Sequence, residues 1–185
     1  MSYPSRLETL PTLHTDNETV DLVYRIAIGD VASNIINDKN GQPLLLAGLG
    51  YDKPWTRDAA INTWNGAGLL FPKTTDNTLL SVLTDHESET VIGGQYWDAI
   101  IWTIGAWWQY TYTGDLQFLA TAFDAILTTL TRYEKREFNS VRQLFRGAAV
   151  YGDGISAYPD IYAEHASEKS GILDVTGFPD DENMP

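Results

Sequence analysis

Tyr96-Trp-Asp-Ala-Ile-Ile-Trp-Thr-Ile-Gly-Ala-Trp-Trp-Gln-Tyr-Thr-Tyr112, then Thr113-Gly114-Asp115, then Leu116-Gln-Phe-Leu-Ala-Thr-Ala-Phe-Asp-Ala-Ile-Leu-Thr-Thr-Leu-Thr-Arg-Tyr133 carries the plainest structural signal in the chain. The first part has too few polar positions for a surface helix, so it predicts a helix inside a layered helical structure. Gly114 ends that helix and Asp115 caps the next. In the second part Leu116, Leu119, Phe123, Ile126 with Leu127, Leu130 and Tyr133 recur at helical spacing. They predict one buried apolar stripe. Two helices joined by so short a turn make a helical hairpin.

The same signals continue outward. Asn17 or Thr19 caps a helix in which Val20, Val23, Ile26 or Ala27, Val31 and Ile35 recur; it should end near Asn37, before the turn residues 38–43. Residues 44–46 read as a short strand or a buried loop. A second helix follows Trp55 and runs to about Leu70, and Thr75 or Asp76 caps a short piece over 79–83. Residues 84–94 read as a polar loop closed by Gly93-Gly94. Beyond Gly147 the pattern turns irregular, and from Asp160 onward there are 7 acidic residues against one Lys. The expected class is all-α: two helical hairpins followed by an acidic, irregular tail over 160–185.

Composition narrows the function. Of 185 residues 43% are hydrophobic, with 6 Trp, 10 Tyr and 6 Phe, so most of the chain folds. Twelve basic against 25 acidic side chains leave a net charge of -13. Such a surface repels phosphate backbones and anionic lipid, which points to a neutral substrate rather than nucleic acid or membrane. With no Cys there are no disulfides and no thiolate metal sites. His14, His86 and His165 lack metal-ligand spacing, and no Gly-x-Ser-x-Gly, P-loop or dinucleotide fingerprint is present, so neither metal nor cofactor is expected. No apolar run approaches the roughly 18 residues of a membrane span, and the opening residues hold no signal core. A cytoplasmic protein is expected.

Three loop-to-helix junctions carry acids beside rings. The first is Tyr51-Asp52-Lys53-Pro54-Trp55-Thr56-Arg57-Asp58. A ring stacks on the C–H face of a sugar, while Asp accepts from and Arg donates to its hydroxyls. Read as structure alone, the same residues are a helix start with Arg57 paired to Asp58. The second is Gly94-Gln95-Tyr96-Trp97-Asp98, which also reads as a buried Trp with Asp98 favoured by the helix N-terminus. The third is Tyr151-Gly152-Asp153-Gly154, followed by Tyr158-Pro159-Asp160. There an unshielded Asp153 suits a general acid, or else a plain Asp-Gly turn.

Tyr51-x-x-x-Trp55-Thr56-Arg57-Asp58 before a helix resembles the first loop of glucoamylases and related six-hairpin glycosidases. Tyr110-x-Tyr112-Thr113-Gly114-Asp115-x-x-Phe118-Leu119 resembles the hairpin turn of (α/α)6 carbohydrate enzymes. The likeness spans residues 15–160. It implies a partial (α/α)6 toroid with two to three hairpins present, the whole chain forming the N-terminal portion of one catalytic domain. A complete barrel has six hairpins in roughly 350 to 450 residues, above the usual domain of about 50–250.

The activity implied is exo-acting, inverting hydrolysis of a terminal glycosidic bond in a neutral saccharide. Arg57 and Asp58 would grip the terminal sugar. Tyr51, Trp55, Gln95, Trp97, Asp98 and Tyr158 would line its pocket, and Asp153 would protonate the leaving oxygen. The catalytic base, and the partner that completes the ring, would come from the remaining barrel or a second chain. Other classes fit less of the pattern. A sugar epimerase wants His in the cavity, and a glycoside phosphorylase wants cations beyond Arg57 and Lys53. A non-catalytic carbohydrate-binding or assembly fragment needs no base at all.

Overall fold

The computed structural model describes residues 10–94 and 98–145. Helix α1 (Glu18–Ser33) starts on Asn17, whose Oδ1 accepts from the amides of Thr19 at 3.0 Å and Val20 at 3.4 Å. The cap satisfies donors that a first turn leaves unpaired. The helix stops short of the expected Asn37 because the β-branched Ile35 and Ile36 enter a strand instead. Strand β1 (Ile35–Asn37) pairs antiparallel with β2 (Pro43–Leu45), Ile35 opposite Leu45. Asp38 Oδ1 closes the turn by accepting from Asn40 N and Gln42 N, both at 2.8 Å.

Helix α2 (Thr56–Asn62) runs into a π segment (Thr63–Ala67) that is kinked at Gly66, φ +122°, before a last turn, Gly68–Leu70. Helix α3 (Pro72–Ser81) begins earlier than expected, because Pro72 is pre-set for a first helical turn. Residues 84–94 are not simply a loop. Strand β3 (Leu83–His86) pairs with β4 (Glu89–Ile92) around Glu87 and Ser88, both at positive φ. That turn matches the right-handed twist of a hairpin but disfavours non-glycine residues. Arg132 holds its tip, with Nη1 3.0 Å from Glu89 Oε2 and Nη2 2.8 Å from His86 Nδ1.

Helix α4 (Asp98–Thr113) ends at Gly114, φ +67°, and Asp115 caps α5 (Leu116–Glu137) as expected. Asp115 Oδ1 accepts from Gln117 N at 2.8 Å and Phe118 N at 3.0 Å. Strands β5 (Phe138–Asn139) and β6 (Leu144–Phe145) then pair directly after α5. The chain is mainly α, with three small hairpins that the all-α expectation did not include.

A unit recurs along it. Hairpin β1–β2 leads to α2 and α3, and hairpin β3–β4 leads to α4 and α5. In each, the return strand is stitched to the second helix by a buried Thr. Leu45 N donates to Thr78 Oγ1 and Ile92 N to Thr129 Oγ1, both at 2.9 Å. Each Thr hydroxyl passes its own proton to the carbonyl four residues back, Thr74 O at 2.6 Å and Ala125 O at 2.7 Å. Neither the amide nor the hydroxyl is left unsatisfied, as burial requires. Hairpin β5–β6 follows α5 as β3–β4 follows α3.

The core lies where α4 meets its neighbours. Trp102 and Leu79 are fully buried, and the Trp102 indole donates to Leu79 O at 3.1 Å. Gln109 is buried too, its Oε1 accepting from Thr75 Oγ1 and its Nε2 donating to Pro72 O, both at 2.8 Å. Helices α2 and α4 cross almost backbone to backbone, since a Cβ on Gly105 would lie 2.6 Å from both Cα and Cβ of Ala60. Gly105→Ala should therefore cost about 2–3 kcal/mol by forcing the helices apart. Urea unfolding checks it, and an unchanged midpoint would mean the crossing has slack.

The buried faces differ from those expected. On α5 the buried residues are Phe118, Ala122, Ala125 and Thr129, whereas Leu116 is 68% exposed and Phe123 57%. Leu127 and Leu130 are exposed as well. On α1, Val20, Val23 and Ile26 face outward while Ile28 and Ala32 are buried. On α4, Ile100, Ile104, Trp107 and Trp108 are exposed. Small residues line the closest approaches, with Trp102 and Phe118 as the bulky members of the core. Of the expected α5 stripe, Ile126 and Tyr133 pack against that core and the rest is turned away or half-exposed. Among the described residues no helix is long and apolar enough to cross a membrane.

Candidate functional site

Trp55 has extended backbone and sits at the position before α2, with its carbonyl accepting from Ala59 N at 2.8 Å. Tyr51 packs against it edge to face, the ring centroids 6.3 Å apart. Tyr51 is exposed and Trp55 half-buried, so the two rings form an aromatic ledge at the start of α2.

The next two residues tie this helix start to the loop after β4. Thr56 is buried, and its hydroxyl donates to Gly93 O at 2.9 Å. Arg57 Nη1 donates to Asp98 Oδ1 at 2.8 Å. The Asp98 side chain is 1% exposed and that of Arg57 is 21% exposed. Gly94 makes the approach possible. It has φ +100°, and a Cβ there would lie 2.6 Å from Thr56 Oγ1 and 3.0 Å from Asp98 Oδ2. Only glycine takes both that backbone and that space.

Asp98 thus occupies the first turn of α4, where negative charge is favoured, and is also ion-paired. A buried charge of this kind is retained only when paired. Arg57 carries five N–H donors on a rigid plane, and one of them meets Asp98. The ion pair fixes the direction of that plane at the helix start that also carries the two rings.

Tyr51, Trp55, Arg57 and Asp98 are therefore gathered from two loops. The pairing of Arg57 with its neighbour Asp58 is not what forms. Arg57 reaches across to Asp98, and among the described residues Asp58 is half-buried without an ion pair. Gln95 and Trp97, expected in the same pocket, lie outside the described residues, as do Asp153, Tyr158 and Asp160. Thr56, Gly93 and Gly94 build the site although no role was assigned to them; Thr56 stood inside the first cluster, and the Gly-Gly pair before a helix was the signal for the other two. Among the described residues no three His, Asp or Glu side chains gather as metal ligands. No family model, no curated protein and no solved structure matches this chain.

Proposed function

We propose that this chain is the N-terminal part of an (α/α)6 glycoside hydrolase that releases a terminal sugar from a neutral saccharide with inversion. The observation that carries the reading is that one helix start, at residues 51–57, bears both the Tyr51–Trp55 ring pair and the Arg57 guanidinium held by Asp98. A planar cationic donor and an apolar ring face on one loop-to-helix junction are the groups that a neutral sugar needs. The recurring hairpin–helix–helix unit supports a repeat architecture, though two units do not make a ring.

In this reading Tyr51, Trp55 and Trp97 wall the pocket. Arg57 and Asp58 bind hydroxyls of the terminal sugar, and Gln95 and Tyr158 add polar contacts. Asp98 is too buried to meet a ligand from its present position and acts as a positioning residue for Arg57. Asp153 gives its proton to the leaving glycosidic oxygen while water attacks the anomeric carbon from the opposite face. A carboxylate outside this chain takes the water's proton.

Asp58→Asn tests the grip. A carboxylate that holds hydroxyls binds more strongly as the ring flattens toward the oxocarbenium-like state. The variant should keep its fold and lose about hundredfold in kcat/KM on the neutral glycoside, or about 3 kcal/mol. Near-normal turnover in the folded variant would return this loop to a helix start and nothing more.

The exposed stripes on α4 and α5 favour a second reading, a binding or assembly subunit whose partner covers them. On either reading the chain alone should self-associate or bind a second chain. Sedimentation would show it, and a monodisperse monomer of 20.6 kDa that melts cooperatively would contradict both. Saturable saccharide binding without turnover in the complete assembly would select the second.

A further inference from the structure

A cavity of about 210 Å³ lies between the end of α1, the end of β2 and the π segment. Its floor is apolar, with Leu45 and Leu46 both buried. Its wall and rim are amides and one acid: Asn34, Asn62, Asn65 and Asp30. Asn34 Nδ2 donates to Asp30 O at 3.1 Å, which fixes the amide and leaves Oδ1 as an acceptor. Among the described residues Asn34 Oδ1 is the one buried side-chain oxygen or nitrogen without a hydrogen bond. Such an orphan costs about 1–3 kcal/mol unless something donates to it.

The other polar groups lack partners as well. Among the described residues nothing hydrogen-bonds to the Asn62 or Asn65 amides or to the Asp30 carboxylate. The wall is irregular too. The helix is kinked at Gly66, φ +122°, and Asn65 and Gly66 both line the cavity there. A Cβ on Gly66 would meet nothing within 4 Å, so the irregular backbone is not explained by crowding.

We propose that this cavity binds a small neutral polyol, one six-carbon ring in size. The amides offer both donors and acceptors, as vicinal hydroxyls require, and the leucine floor takes the C–H face. With a carboxylate and no cation in the lining, anions are excluded. The volume equals that of about seven liquid waters. The site does not rest on the ledge at Arg57. Tyr51, Trp55, Arg57 and Asp98 are all absent from its lining.

The test is a titration of the complete, labelled protein with myo-inositol, a ring polyol with no glycosidic bond, read on the side-chain amide signals of Asn34, Asn62 and Asn65. Saturable shifts at all three are expected. Asn65 is exposed and unbonded, so Asn65→Ala should fold normally and weaken the titration about tenfold. Asn34→Leu should abolish it, and Lys73→Gln, at an exposed position outside the lining, should leave it unchanged. Absence of saturable shifts would overturn the proposal. So would a titration that survives both Asn62→Ala and Asn65→Ala, or a response to calcium or ammonium chloride in place of inositol, which would make this a cation site.

Discussion

Arg57→Ala is expected to destabilise the protein by about 3–5 kcal/mol, far more than the loss of an ordinary surface charge. The reason lies with its partner. Asp98 is 1% exposed and stays behind when the guanidinium is removed, so a buried carboxylate loses its counter-ion. Asp98→Asn in the same protein should recover much of the loss, because the amide carries no charge to desolvate. Arg57→Lys should fall between, since a compact ammonium does not reproduce the planar fork. Urea unfolding at fixed protein concentration measures all three, the fixed concentration being needed because association shifts apparent stability. A loss under about 1 kcal/mol for Arg57→Ala would show that water screens the pair.

Trp102→Ala should be at least as damaging. The side chain is fully buried at the centre of the core, and truncating a buried Trp costs about 3–5 kcal/mol in lost burial and residual cavity. Its indole also donates to Leu79 O, at the end of α3, so the truncation removes a partner of a buried carbonyl for about 1–3 kcal/mol more. Trp102→Phe separates the two contributions. It keeps most of the apolar contact and loses the donor, so it should cost well under half as much. Equal losses for Ala and Phe would place the stability in the hydrogen bond instead of the packing.

How much of this was legible in the sequence depended on how local the cause is. The Gly114–Asp115 junction was readable because a cap is settled within a few residues. The residues of α4 and α5 were readable as helices for the same reason. Which face they bury was not. Leu116, Phe123, Leu127 and Leu130 form the more apolar side of α5, yet Phe118, Ala122 and Ala125 face the core. Periodicity reports that a helix has a side to hide; which side is used depends on how closely the neighbour approaches.

The hairpin at residues 83–92 was missed because Glu87-Ser88 lacks the Asn-Gly signature of its turn. What holds its tip, Arg132, is 43 to 46 positions away. The site divides in the same manner. Tyr51, Trp55, Arg57 and Asp58 stood out by residue type and spacing. That Arg57 answers to Asp98, 41 positions on, is a tertiary fact without a local trace.

The threonine stitches have a consequence during synthesis. The amide of Leu45 is satisfied by a hydroxyl 33 positions downstream, and that of Ile92 by one 37 downstream. Translation adds about 5–20 residues per second, so each strand leaves the ribosome and waits roughly 2–7 seconds for its partner. During that interval water satisfies the amide and the strand's apolar side chains are exposed, a surface on which chaperones can act. Because the second unit begins after the first one ends, the two waits follow one another. Among the described residues the two open intervals, 45–78 and 92–129, do not overlap, so docking can follow the order of the codons.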